Sequence, residues 1–259
     1  MKRSFPQRRP LLFVVLLLLV ILVTLALAGA ITFQLKLSPL AMTLLTDGEL
    51  ALIAVFVLSR LHWWREAGFR LPSPPRSLWL FIVPCLPVLL NAFAGIGYPG
   101  IAPLLLFLAL ALLVGFVEET YFRGMILSAL VPRGPWQAVI TSSLLFGLFH
   151  LFNLAAGANL EATLLQFGYA LALGLMYAAL RLRTQTILPL ILLHGLTDFF
   201  GFLAVSTVET TSLPLLVVVV TAGEIVIYTA YSIMLMRQVK PQARGTETEA
   251  KPGPTPAAV

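Results

Sequence analysis

Six residues that could do chemistry fall in three short patterns: Glu118-Glu119-Thr-Tyr-Phe-Arg123, Phe146-Gly-Leu-Phe-His150 and His194-Gly-Leu-Thr-Asp198. Each pattern interrupts a long apolar run. An ionisable side chain at the centre of a bilayer costs about 2.5–3.5 kcal/mol on insertion scales, so such residues are functional candidates by default. Glu119 and Arg123 are four apart, share a helix face and can pair. Glu118 points about 100° away from its neighbour and is free to face something else. His194 and Asp198 repeat the four-residue spacing, and Asn153 lies just beyond His150 and can join the same surface.

The chemistry this set supports is hydrolysis. A poorly solvated glutamate is basic enough to activate water. Two histidines can donate hydrogen bonds to a developing oxyanion. In a second arrangement, His150 and His194 with a carboxylate hold zinc and leave one position open for water; the sequence leaves the metal question open. No serine has the spacing of a nucleophile. Cys85 lies among apolar residues, whereas reactive thiols need electropositive surroundings.

The elements that must carry these residues are membrane helices. The chain has 259 residues, 59% hydrophobic and 11% charged, where soluble domains are about a quarter charged. Apolar runs reach the roughly 20 residues needed to cross a bilayer. Eight spans are expected, at about 11–33, 40–60, 78–98, 102–130, 136–154, 162–180, 186–206 and 213–236. The fold class is therefore all-α, a polytopic membrane bundle over 1–236 with a catalytic core at about 78–206. The remaining 237–259, rich in Pro, Gly, Thr and Glu, reads as a disordered cytoplasmic tail, and 66–77 as a proline-rich loop. Asp47 and Glu49 interrupt the second span and are expected to mark its outer end rather than line a cavity. Asn91 is expected to make a helix contact.

Orientation follows from charge. With both termini in the cytoplasm, 15 of the 17 Lys and Arg residues fall on inside segments, the exceptions being Lys36 outside and Arg123 within the membrane, as the positive-inside rule requires. The net charge of +6 is spread over several loops and does not point to nucleic acid. The alternative for the N-terminus, a signal peptide cleaved after Ala28, has an apolar core longer than usual. Depths also agree. Glu118 lies about 12 residues, roughly 18 Å, from a helix end near Leu130. His150 lies roughly 21 Å from Trp136, and His194 roughly 12 Å from Thr186. All three fall between the middle of the bilayer and its cytoplasmic side.

In order and spacing, Glu118-Glu119-x-x-x-Arg123, Phe146-x-x-x-His150 and His194-x-x-x-Asp198 resemble the motifs of the CPBP family of intramembrane proteases. That family includes the CAAX prenyl endopeptidases and bacteriocin-processing or immunity-type membrane proteins. The resemblance covers about residues 78–206. It implies that Glu118 activates water shared with His150, that Glu119 and Arg123 support it or position substrate, and that His194 and Asp198 stabilise the oxyanion or substrate carbonyl. It also implies a divalent metal such as zinc as one cofactor to test. The prenyl endopeptidases typically carry asparagine at the position of Asp198. An ionised aspartate cannot donate to an oxyanion, so Asp198 must be protonated, bind metal or orient His194. The expected protein is an intramembrane endopeptidase of the prokaryotic cytoplasmic membrane, with membrane-associated or lipidated peptides as substrates. The alternatives are a non-catalytic adaptor or immunity factor binding a peptide or partner in the same cavity, and a proton or solute transporter. The transporter reading is disfavoured because no repeat or paired broken helices are visible.

Overall fold

The computed structural model describes residues 4–72, 74–93, 96–204 and 214–239. The described residues are all-helical, with one isolated β-bridge between Ile96 and Ala204. The main helices are α1 (Pro10–Leu35), α2 (Pro39–Leu61), α3 (Cys85–Phe93), α4 (Ile101–Glu119), α5 (Pro135–His150), α6 (Leu160–Thr184), α7 (Leu188–Leu203) and α8 (Leu215–Met236). Proline stands in the first turn of α1, α2, α5 and α7, where its missing N–H costs no helical bond. Ser38 caps α2 through Ala41 N–H, and Asn159 caps α6 through Ala162 N–H.

Six helical stretches are long and apolar enough to cross a membrane; the bent pair Pro75–Phe81 and Cys85–Phe93 would bring the number to seven. The protein is thus a multi-pass helical membrane protein, with fewer clear spans than the eight expected. Two segments account for the difference. The expected span 78–98 is a 3₁₀ turn and a short α-helix meeting at 42°. Pro84 and Pro87 interrupt the backbone there, as proline does by removing a donor and clashing with the preceding turn. The expected span 186–206 is α7, apolar but only 16 residues long, which is about 24 Å of helix. Part of that span and most of the expected tail lie outside the described residues.

The fourth apolar run is longer than expected. It continues without a break from Ile101 to Arg133, 33 residues. Directly after Glu119 the helix widens into a π-helical segment, Thr120–Ile126, whose residues are all buried. The Leu127 N–H bonds five residues back to the Phe122 carbonyl, and Ser142 Oγ of α5 donates to that same carbonyl at 2.8 Å. The π segment is therefore tied to the helix that carries His150. Such segments recur at functional sites because they re-aim side chains within an otherwise regular helix.

The central helix is α6, with 56% of its apolar window buried against 17–33% for the other spans. Its neighbours are α5 on one side and α8 on the other, while α7 packs along α4. Glycine makes these approaches close. A Cβ on Gly115 of α4 would sit 2.8 Å from Ile191 O and 2.9 Å from Gly195 N. One on Gly195 would sit 3.0 Å from Ala111 O. A Cβ on Gly174 of α6 would meet Ser143 Cβ at 3.0 Å. Small residues at membrane helix interfaces allow this backbone-to-backbone packing. Leu and Val side chains on the outer faces of α1, α2 and α8 are exposed, as lipid-facing positions should be.

Candidate active site

The Gly115–Gly195 contact sets the site. Gly195 follows His194, and Gly115 lies one turn before Glu118 and Glu119, so close packing there presses the imidazole onto both glutamates. His194 Nδ1 lies 2.8 Å from Glu119 Oε1. An ionised carboxylate only accepts, so Nδ1–H donates. The same oxygen accepts from Arg123 Nη1 at 2.9 Å. Glu119 and Arg123 are both fully buried. Arg123, Glu119 and His194 thus form one chain of charge-assisted contacts in the buried interior.

Aromatic packing holds this chain in place. Arg123 Cζ stands 4.0 Å over the Phe146 ring and 5.6 Å from that of Tyr177. The Phe146 ring also meets His150 at 4.8 Å and His194 at 6.1 Å, both edge-on. Phe146 is therefore the hub touching the cation and both imidazoles, and cation–π attraction is strongest when desolvated.

Glu118 does face elsewhere. Together with His150, Asn153, His194 and Asp198 it lines a cavity of about 370 Å³. The far nitrogen of His194, Nε2, lies 3.4 Å from Glu118 Oε2 and 3.7 Å from Asp198 Oδ2. Glu118 and Asp198 each keep 28% of their side-chain surface accessible, so the cavity reaches both. His150 Nδ1 lies 2.9 Å from the Phe146 carbonyl. A carbonyl can only accept, so Nδ1 carries the proton, and in the neutral ring Nε2 holds the lone pair.

Of the six candidates, Glu118, His150, His194 and Asp198 meet at the cavity, while Glu119 and Arg123 form the layer behind His194. Asn153 also lines the cavity, where its amide donates to Gln166 Oε1 at 2.8 Å. Asp47 departs from expectation. It is not at the end of a span but inside α2, and it faces the cavity beside Thr46. The signal was in the sequence, since an acid within an apolar run is itself a cavity marker. Gln166 and Tyr177 carried no comparable signal. Glu49 lines an apolar groove between α1 and α2. Asn91 makes the expected helix contact, donating to Thr197 O at 3.0 Å.

The donor set fits a metal poorly. Both nitrogens of His194 already face carboxylates, which leaves Nε2 of His150 as the one imidazole nitrogen at the cavity open to a ligand. Among the described residues no group of three or more His, Cys, Asp or Glu side chains is gathered to hold a metal ion. The steps below therefore use the chain's own groups.

Fold and site together define a multi-pass helical membrane protein with a carboxylate–imidazole cavity buried among its spans. Residues 100–200 match the family described as type II CAAX prenyl endopeptidase Rce1-like. That stretch contains all three motifs, and the match supports the resemblance to the CPBP proteases and, at the level of the family, the assignment to hydrolases. No curated protein and no solved structure matches the chain.

Proposed function

We propose that the protein is an intramembrane endopeptidase that cleaves membrane-associated or lipidated peptides with a glutamate-activated water. The observation that carries this reading is the opening of Glu118 and His150 onto one cavity, while the Arg123–Glu119–His194 chain stands rigidly behind it. Water held between Glu118 and His150 Nε2 gives its proton to the carboxylate as its oxygen attacks the scissile carbonyl carbon. With Nδ1–H already given to Glu119, His194 acts as an imidazolium, its charge balanced by the carboxylates of Glu118, Glu119 and Asp198 around it, and its second proton, on Nε2, is donated to the oxyanion that forms. When the C–N bond breaks, the proton held by Glu118 passes to the leaving amine. Asp198 flanks Nε2 and orients the ring rather than donating to the oxyanion.

The cavity walls support a partly apolar substrate. Ile21, Leu25, Leu50, Val114, Phe149 and Phe202 line the space around the polar cluster, and such surfaces suit an acyl or prenyl chain. The distribution of Lys and Arg supports an N-terminus in the cytoplasm and a site reached from that side of a prokaryotic cytoplasmic membrane.

The test uses purified protein in lipid nanodiscs with a panel of lipidated and unlipidated peptides, and mass spectrometry of the products. Wild type is expected to release C-terminal fragments, lipidated peptides being cut faster, and Glu118→Gln none. Peptide bound stoichiometrically by wild type but recovered intact would overturn the reaction and favour a binding or immunity module.

A further inference from the structure

A second polar cavity, also about 370 Å³, lies apart from the catalytic one and is lined by Arg65, Arg70 and Arg181 with Glu66, Ser128 and Gln185 among others. Apart from Arg70, which lies in the loop after Gly68, these residues stand at or near the ends of helices. Arg65 and Glu66 belong to the short turn Trp64–Ala67 after α2, and Ser128 lies in the last turns of the long α4 run. Arg181 and Gln185 close α6. Trp63 and Trp64 sit beside them, as amphipathic rings do at a membrane interface.

The cations are built in. Arg181 is only 4% exposed. Its Nη2 donates to Glu66 O at 2.6 Å and approaches Ser128 Oγ at 3.5 Å, and its Nε has no hydrogen-bond partner among the described residues. The guanidinium rests on Gly68, which holds φ at +98°; a Cβ there would come within 2.5 Å of Nε. Arg70 is fixed from the same side, Nε donating to Gln185 O at 2.7 Å and Nη2 to Gln185 Oε1 at 2.6 Å. Gly68 itself is pinned, its carbonyl accepting from Ile187 N–H at 3.0 Å.

Among the described residues, no carboxylate lies within ion-pair distance of these arginines. The ion pairs among the described residues all lie at the catalytic cluster, and Glu66 contributes its backbone carbonyl to Arg181. A buried unpaired charge is costly, and two like charges on one small cavity add to the cost. A carboxylate in this position would escape by taking up a proton. Arginine cannot shed its charge, so relief has to come from an anion. The planar forks of Arg65, Arg70 and Arg181 match the tetrahedral oxygens of phosphate.

We propose that this cavity is a phosphate-binding site at the level of the membrane interface. The group it takes is the phosphodiester of an anionic phospholipid headgroup or a free phosphate ion. It is independent of the catalytic reading and uses none of the catalytic side chains. Its function is to fasten the loop 62–72 to the ends of α4 and α6.

The test titrates the purified full-length chain in detergent with phosphatidylglycerol, and separately with sodium phosphate against a chloride control, reading thermal unfolding. Arg65, exposed and outside the described hydrogen bonds, can be changed without disturbing the fold. A saturable rise in unfolding temperature with phosphatidylglycerol alone, with binding about fivefold weaker in Arg65→Gln, assigns the site to lipid. The same behaviour with phosphate assigns it to the soluble anion. Either result supports the site. If neither ligand gives a rise that Arg65→Gln and Arg70→Gln weaken, the proposal is overturned.

Discussion

Replacing Gly115 with alanine adds one methyl at the contact that brings His194 to the glutamates. The new Cβ would sit 2.8 Å from Ile191 O and 2.9 Å from Gly195 N. Both neighbours are backbone atoms of α7 and cannot rotate away. Ordinary contact for such a carbon begins at 3.4 Å, so α4 and α7 must part by about 0.6 Å or more at this level. The His194–Glu119 contact, 2.8 Å in the native protein, then leaves the range of a strong charge-assisted bond. Overpacking of this kind costs roughly 1–3 kcal/mol of stability. A misplacement near 1 Å at a catalytic group costs about a hundredfold in rate. The variant is therefore expected to fold, to unfold at lower temperature, and to lose most of its cleavage rate. Gly29→Ala is the control, because a Cβ there meets nothing within 4 Å; it should retain full rate. The assay pairs peptide cleavage in nanodiscs with thermal unfolding of the same preparations. A Gly115→Ala protein that cleaves at the wild-type rate would show that close packing of α4 on α7 does not position the site.

Three other outcomes follow. Arg123→Met should destabilise the protein by about 3–5 kcal/mol, because it leaves the buried Glu119 carboxylate without its cation and removes the stack on Phe146 at 4.0 Å; unchanged thermal unfolding would contradict the buried chain. Asp198→Asn should alter the cleavage rate by about tenfold or less, since Asp198 lies 3.7 Å from His194 Nε2, beyond hydrogen-bond length; complete loss would give Asp198 a direct role. His150→Ala should abolish cleavage with near-native stability, as His150 is only half-buried and bonds within its own helix; a fully active variant would remove it from the water site.

The membrane class and the three clusters were legible because hydropathy and charge act locally along the chain. Glu119–Arg123 and the outward turn of Glu118 follow from helix geometry alone. What the sequence hid depends on partners distant in the chain. The π-helical widening after Glu119 rests on the buried packing of Thr120–Ile126 and on Ser142, which closes on Phe122 from another helix. Phe146 stands out as part of a motif, yet its stacking on Arg123 appears only when α4 and α5 meet. Asp47 resembled a helix end because an acid in an apolar run has two readings, and only the opposing wall of the cavity separates them. The segment 78–98 reads as a span by composition, but Pro84 and Pro87 bend it by an amount that hydropathy does not encode.

The most direct test of the account compares the N-terminal peptides of host membranes carrying wild type with those carrying Glu118→Gln, at equal expression and with both proteins folded. New N-termini that appear with wild type and vanish with Glu118→Gln are the expected result, and they would identify the substrates. Identical profiles would contradict a glutamate-activated water in this cavity.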